Sequence, residues 1–276
     1  MQLDLGDRSF DLTTRALVMG ILNRTPDSFY DQGAHWDLDA SFRLAESHVT
    51  AGADLLDVGG VKAGPGPDVN EAEELERVVP FVEALHARFD VPLSVDTWRA
   101  SVAEASFSVG AVVGNDISGF ADGRYLDVAA AAGATVVATH IRIAPRVADP
   151  DPQYDDVVED VRDFLAERAD RAIAAGVPKT RIVVDAGLDL GKTWQQSLVL
   201  LRSSDRLASL GYPVLLSASN KTFLGRLLDL EIDQRRLASH AAHALGIRLG
   251  CRILRAHDVR GARRVADVCA AMLEAS

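Results

Sequence analysis

The stretch Leu17-Val18-Met19-Gly20-Ile21-Leu22-Asn23 decides how the rest of this chain is read. It is apolar nearly throughout and closes on a polar residue. A run with no apolar–polar alternation suits a strand buried on both faces, the habit of parallel sheets. Seven further runs have the same form: DLLDVGG (54–60), VPLSVDT (91–97), VVGNDIS (112–118), TVVATHI (135–141), RIVVDAG (181–187), PVLLSAS (213–219) and ILRAHDV (253–259). Between them, 40–51, 71–89 and 157–175 carry helical spacing. Eight strand–helix units predict a closed (β/α)₈ TIM barrel, a single domain over residues 1–276. Active sites of such barrels lie at the carboxyl ends of the strands. Here those ends carry Asn23, Asp57, Asp96, Asn115, Asp116, His140, Asp185, Ser219, Arg255, His257 and Asp258.

Composition narrows the function. A chain of 276 residues, 48% hydrophobic, can bury one large core. The net charge of −11 argues against a nucleic-acid partner. It does not exclude an anionic substrate, because local fields decide that. Cys251 and Cys269 form no metal-spaced pair and no disulfide framework, so both are expected reduced and buried in a cytoplasmic protein. No apolar run approaches a membrane span, and MQLDLGDRSFDL lacks the features of a signal peptide. Alternation around Gly6-Asp7-Arg8 predicts a hairpin capping the barrel floor.

Three long loops are expected on the carboxyl face: residues 25–36, residues 61–70 with Gly64, Pro65, Gly66 and Pro67, and residues 142–154. Long loops in compact domains are often lids or binding loops. The third also reads as an ordinary surface connection.

Buried carboxylates at strand ends are costly unless paired or met by a ligand. Asp96, Asp185 and the amide of Asn115 suit a flat heterocycle rich in N–H donors. They suit a divalent metal equally, and spacing does not decide. The run Gly187 to Gly191-Lys192-Thr193 has three residues between its glycines where a nucleotide P-loop needs four. Lys192 therefore reads as a helix-start residue. Arg255 and His257 alternate with apolar neighbours and are expected on the same side of the last strand. With Lys221 from the adjacent loop they suit phosphate or pyrophosphate oxygens. His35, His48, His86, His240 and His243 read as incidental.

Taken together, these motifs have a family likeness. Met19-Gly20-Ile21-Leu22-Asn23-Arg24-Thr25-Pro26-Asp27-Ser28-Phe29 resembles the first signature of the dihydropteroate synthase family. The likeness continues in order through Asp57-Val58-Gly59-Gly60, Ser94-Val95-Asp96-Thr97, Asn115-Asp116-Ile117-Ser118-Gly119, Asp185 with Gly191-Lys192-Thr193, Ser219-Asn220-Lys221 and Arg255-Ala256-His257-Asp258-Val259. The resemblance implies condensation of 4-aminobenzoate with a dihydropterin hydroxymethyl pyrophosphate, a step of folate biosynthesis. It implies that Asp96, Asn115, Asp185 and Lys221 hold the pterin. Asn23, Arg255 and His257 match the pyrophosphate end, with Asn23 on Mg²⁺ brought with that substrate. Lys221, Arg255 and His257 take the catalytic roles, and a homodimer is implied, with 237–250 as one candidate face.

Departures from the family pattern cluster on one side. The usual Glu-Ser-Thr-Arg-Pro-Gly after Gly60 is Val61-Lys62-Ala63-Gly64-Pro65-Gly66, so the Thr is Ala63 and the Arg is Gly64. The aromatic that packs on the aminobenzoate ring is Leu190, the usual Ser-Arg-Lys-Ser is Ser219-Asn220-Lys221-Thr222, and the usual Met-His is Thr139-His140. The pterin side is thus expected intact and the aminobenzoate side altered at Ala63, Gly64, Leu190 and Thr222. Lys62 is a displaced substitute for the lost arginine, without its planar fork. Three readings follow: a working synthase, a divergent paralogue that binds pterin and anions with little or no synthase activity, and a folate-dependent methyltransferase domain. The last needs neither the Lys221–Arg255–His257 cluster nor the Thr25–Phe29 motif.

Overall fold

A computed structural model of the chain describes residues 1–24, 38–64 and 66–275. The first long loop, with the TPDSF motif and His35, lies outside the described residues, as does Pro65. Two short strands, β1 (Gln2–Leu5) and β2 (Arg8–Asp11), precede the eight strands inferred from the apolar runs. These are β3 (Leu17–Asn23), β4 (Leu55–Gly59), β5 (Leu93–Asp96), β6 (Ala111–Asp116), β7 (Thr135–Thr139), β8 (Ile182–Asp185), β9 (Val214–Leu216) and β10 (Cys251–Ala256). They are parallel neighbours in chain order, and β10 closes the barrel on β3. The surrounding helices are α1 (Leu38–Thr50), α2 (Glu71–Arg88), α3 (Ala100–Ser108), α4 (Tyr125–Ala131), α5 (Val157–Ala174), α6 (Trp194–Arg202), α7 (Ser204–Ala208), α8 (Thr222–Leu228), α9 (Arg236–Arg248) and α10 (Val259–Glu274).

Strand parity sorts every run into an inner and an outer set. Leu17, Met19, Leu55, Val113, Val137, Val183, Leu215 and Ile253 pack together inside the barrel. Leu3, Leu5 and Leu12 complete that cluster, so the β1–β2 hairpin closes the floor as expected. Alternate residues, such as Leu56, Val58, Leu93, Val95 and Val78 of α2, pack outward against the helices. One step of two residues above the floor, the inner set turns polar on β4 and on β6 to β10, at Asp57, Asn115, Thr139, Asp185, Ser217 and Arg255, while β3 keeps the apolar Ile21. On β5 the outward packing of Leu93 and Val95 gives the inner positions to Ser94 and Asp96. An apolar plug under a ring of polar side chains fixes where chemistry can occur.

Helix starts are capped at the same end of the barrel. Asn70 accepts from Glu73 N at α2, Asp156 from Val158 N at α5, and Asp258 from Gly261 N at α10. Thr193 and Gln196 form a reciprocal capping box at α6. The cysteines depart in part from expectation: both are unbridged, but only Cys251 is buried, and Cys269 on α10 is half-buried.

Candidate active site at the barrel mouth

Asp57 is the hub of the polar ring, and its side chain is fully buried. It accepts hydrogen bonds from Ser94 Oγ (2.6 Å), Asn115 Nδ2 (3.2 Å) and Arg255 Nε (2.6 Å). The same guanidinium donates through Nη2 to Asp96 at 2.7 Å. Two carboxylates thus share one cation. Burial first, partly offset by Arg255 and reinforced by Asp57, raises the Asp96 pKa to about 7. Sequence alone puts Asp57 at a strand end without a role. Its inward parity with Leu55 is the signal that assigns one.

The four residues matched to pterin binding meet here. Asp96 and Asn115 are register partners on β5 and β6. Asp185 ends β8 opposite Thr139 and accepts from Gly187 N at 2.8 Å. Burial raises the Asp185 pKa against the pull of that bond and of Lys221 and Arg255. Burial lowers the Lys221 pKa, while Asp189, Asp185 and Asp96 pull it back. The Thr139 hydroxyl, in the same ring, is buried without a hydrogen-bond partner.

Arg255 lies in β10 and His257 one residue past its end, and the two make different contacts. Arg255 turns inward to Asp57 and Asp96, and its Nη1 takes part in neither bond. His257 Nδ1 lies 3.0 Å from Ser219 Oγ, which also accepts from His257 N. Desolvation at the mouth, then the positive charge of Arg255 and Lys221, pushes His257 down to about 4. Asn23 ends β3 beside Gly59, and Gly59 neighbours Asp96.

Lys192 precedes the cap of α6, as its reading as a helix-start residue expects, but it does not face solvent. Its ammonium is buried and hydrogen-bonds His140 Nδ1 (2.8 Å), Gly187 O (2.9 Å) and Leu190 O (2.9 Å). Burial lowers Lys192 to about 7 and, with the Lys192 charge, holds His140 near 3. The turn above it needs glycine. Gly187 has φ +63°, and a Cβ there would stand 1.9 Å from His140 O. Asp189 also holds a left-handed φ of +67°, and its carboxylate caps α8 at Thr222 N (2.6 Å) and Phe223 N (3.3 Å).

Three of the four altered positions, Ala63, Gly64 and Leu190, meet at a small cavity of about 140 Å³, whereas Thr222 begins α8 and does not line it. Ala63, Gly64, Ile143, Val147, Leu190 and Lys192 line it. The third loop therefore meets the second and is more than a surface connection.

Two of the histidines that read as incidental in the sequence are structured elements of a neighbouring cavity of about 350 Å³, shared with Ser219 and His257. His240 Nε2 lies 3.2 Å from Asp258 Oδ2. His243 is 1% exposed with neither ring nitrogen hydrogen-bonded. Desolvation, then His240, lowers its pKa to about 4. A depressed histidine stabilises the fold above its unfolded pKa and loses that contribution as pH falls towards its folded pKa. The window here is pH 6.5 to about 4. His243→Leu is expected to gain stability over wild type across that window, by up to about 3 kcal/mol at pH 4. Urea titrations of both proteins from about pH 7.5 to 4 check this. A difference independent of pH contradicts it.

Comparison with known proteins agrees with this arrangement. The family model described as pterin binding enzyme matches residues 19–257. A protein of Mycobacterium leprae named inactive dihydropteroate synthase 2 is 43% identical over 94% of this chain and 91% of its own length. The dihydropteroate synthase of Bacillus subtilis is 40% identical over 94% of this chain and 89% of its own. The crystal structure of the Yersinia pestis dihydropteroate synthase with a sulfonamide drug superposes with a TM-score of 0.93 at 38% identity, covering both chains fully. That of Xanthomonas albilineans with 4-aminobenzoic acid gives 0.92 at 38% identity, covering 100% of this chain and 99% of that one.

Proposed function

Because the chain belongs to the pterin-binding enzymes and, among them, to the dihydropteroate synthase family, we propose that it binds a dihydropterin pyrophosphate and condenses it slowly with an aromatic amine, 4-aminobenzoate in the first instance. The observation that carries this reading is the inward polar ring. Asp96, Asn115, Asp185 and Lys221 converge around the Asp57–Arg255 ion pair above an apolar floor. Carboxylates accept the N–H groups of a pterin amide edge, and Lys221 donates to a ring acceptor. Arg255, through the Nη1 that neither carboxylate holds, meets the pyrophosphate together with His257 and Asn23. The methylene C–O bond breaks, pyrophosphate leaves with the bonding pair, and the amine forms the new C–N bond and gives up a proton. Fixed positive charge at the leaving group is the main lever.

Among the described residues no group of three or more His, Cys, Asp or Glu side chains is placed to hold a metal. A single amide oxygen at Asn23 fits Mg²⁺ that arrives with pyrophosphate oxygens and its own water, and not a caged resident ion. Such an ion would neutralise the leaving group. A crystal grown in sulfate is expected to show the anion between Arg255, His257 and Lys221. Sulfate bound elsewhere only, with these three side chains bare, contradicts that assignment.

The altered side supports the low turnover. Ala63, Gly64 and Leu190 stand where the family carries Thr, Arg and an aromatic, and the M. leprae relative is named inactive. The methyltransferase reading has no support among the relatives. A homodimer is part of the proposal. Leu237 and Leu245 on α9 and Val268 and Met272 on α10 are exposed on two helices that pack together. A cytoplasmic location fits two unbridged cysteines. No helix among the described residues is long and apolar enough to cross a membrane. A coupled assay of pyrophosphate release with both substrates, followed by complementation of a synthase-deficient strain, tests the activity. Release that ignores the amine contradicts it.

A further inference from the structure

The loop after β7 reaches across the mouth and grips the loop after β4. Its base is stiff. The Arg142 guanidinium pairs with Asp149, Nη2 to Oδ1 at 2.6 Å, and Tyr154 Oη donates to Gly191 O at 2.7 Å. Its tip is Arg146, a non-glycine residue at φ +66°. Left-handed backbone at such a residue costs of the order of one hydrogen bond and persists only where surrounding contacts hold it. Those contacts are on the opposite loop. Arg146 N donates to Ala63 O at 3.0 Å, Nη1 to Lys62 O at 3.3 Å, and Nη2 to Gly66 O at 2.7 Å and to Pro67 O.

All four acceptors are backbone carbonyls, one held by the Arg146 main-chain N–H and three by its planar guanidinium, so the grip reads the path of the loop and not its side chains. Lysine has no fork that spans three such oxygens. Directly beneath the grip lies the 140 Å³ cavity walled by Ala63, Gly64, Ile143, Val147 and Leu190.

We propose that Arg146 is a positioning residue, a latch that fixes the loop after β4 over the acceptor side of the site before any substrate arrives. The latch itself stands on geometry. Only the naming of the cavity as the acceptor side rests on the synthase reading. The latch makes entry and exit of the amine slow, because either event requires several charge-assisted bonds to open together.

Trypsin supplies a direct probe, since the bond after Lys62 carries a carbonyl that the latch holds. Cleavage of a locally opened segment follows the population of the open form. The ligand-free protein is digested briefly and the 1–62 fragment is followed by mass spectrometry. Arg146→Ala is expected to release it about ten-fold faster than wild type or more, with Arg146→Lys in between. Equal release from all three overturns the latch, whether or not the protein binds a pterin. Should Arg146→Ala fail to fold, wild type against Arg146→Lys decides the same question, with equal release again overturning the latch.

A second readout tests the gate. Exchange of 4-aminobenzoate, measured by NMR in the presence of a saturating pterin, is expected to speed up in both directions in Arg146→Ala, with pterin affinity unmoved. Faster cleavage with unchanged amine exchange overturns the assignment of the latch to the acceptor side.

Discussion

Asp57→Ala is expected to destabilise the fold by about 3 kcal/mol, near the low end of the range for breaking a buried ion pair. Three groups lose their acceptor at once: Ser94 Oγ, Asn115 Nδ2 and Arg255 Nε. Arg255 keeps Asp96, which is why the upper end of the range is not reached. The variant should also move Asp96. With Asp57 gone, Asp96 has the guanidinium to itself and loses a neighbouring negative charge, so its pKa falls from about 7. A carboxyl raised in the folded state stabilises at low pH and loses that contribution as pH climbs to its folded pKa. Wild type therefore carries a destabilising slope from Asp96 between the unfolded carboxyl range and about pH 7, and Asp57→Ala flattens it. Urea denaturation at about pH 7 and pH 4.5 reads both effects. A loss below about 1 kcal/mol, as for an ordinary surface substitution, would show that Asp57 is not the hub.

Turnover is expected to fall short of that of a family member carrying the usual Thr, Arg and aromatic by roughly one and a half to three decades. An arginine closing over pyrophosphate acts most strongly as charge separates, so its loss lowers kcat and not only affinity. One charged contact is worth about 1.5–3 kcal/mol, and an aromatic packed on the amine ring about 0.5–1.5 kcal/mol. Neighbouring residues need not add. The variant Ala63→Thr, Gly64→Arg, Leu190→Phe should recover part of the deficit. The structure has room for it at the critical point, since a Cβ on Gly64 meets nothing within 4 Å. Steady-state pyrophosphate release from both proteins is the measurement. Ordinary family turnover in wild type contradicts the weakened acceptor side. A variant that gains nothing moves the defect to Asn220, Thr222 or the Arg146 grip.

The barrel is legible in the sequence because its strands are buried on both faces. Uninterrupted runs such as 17–23 and 181–187 identify parallel strands, and eight of them in alternation with helices leave few other folds. The hairpin around Gly6 is legible from its turn. The site is legible where chemistry sits at a strand end, as for Asp96, Asn115 and Asp185. It is illegible where the partner is remote in sequence. Asp57 and Arg255 are 198 residues apart, and only closure of the barrel brings them together. Lys192 reads only as a helix-start residue because its partners are backbone carbonyls and His140, which no spacing encodes. Arg146 is hidden for the same reason, since four backbone acceptors leave no trace in side-chain pattern. His243 carries no motif, and its burial without a partner exists only in three dimensions.

The central claim is an intact pterin side beside a weakened acceptor side, and calorimetric titration with a pterin pyrophosphate analogue tests it most directly. Wild type is expected to bind, and Asp185→Ala to bind about ten- to a hundred-fold more weakly, the loss of a charged acceptor for the ligand's N–H groups. No binding by wild type, or equal affinity in both proteins, would contradict the account.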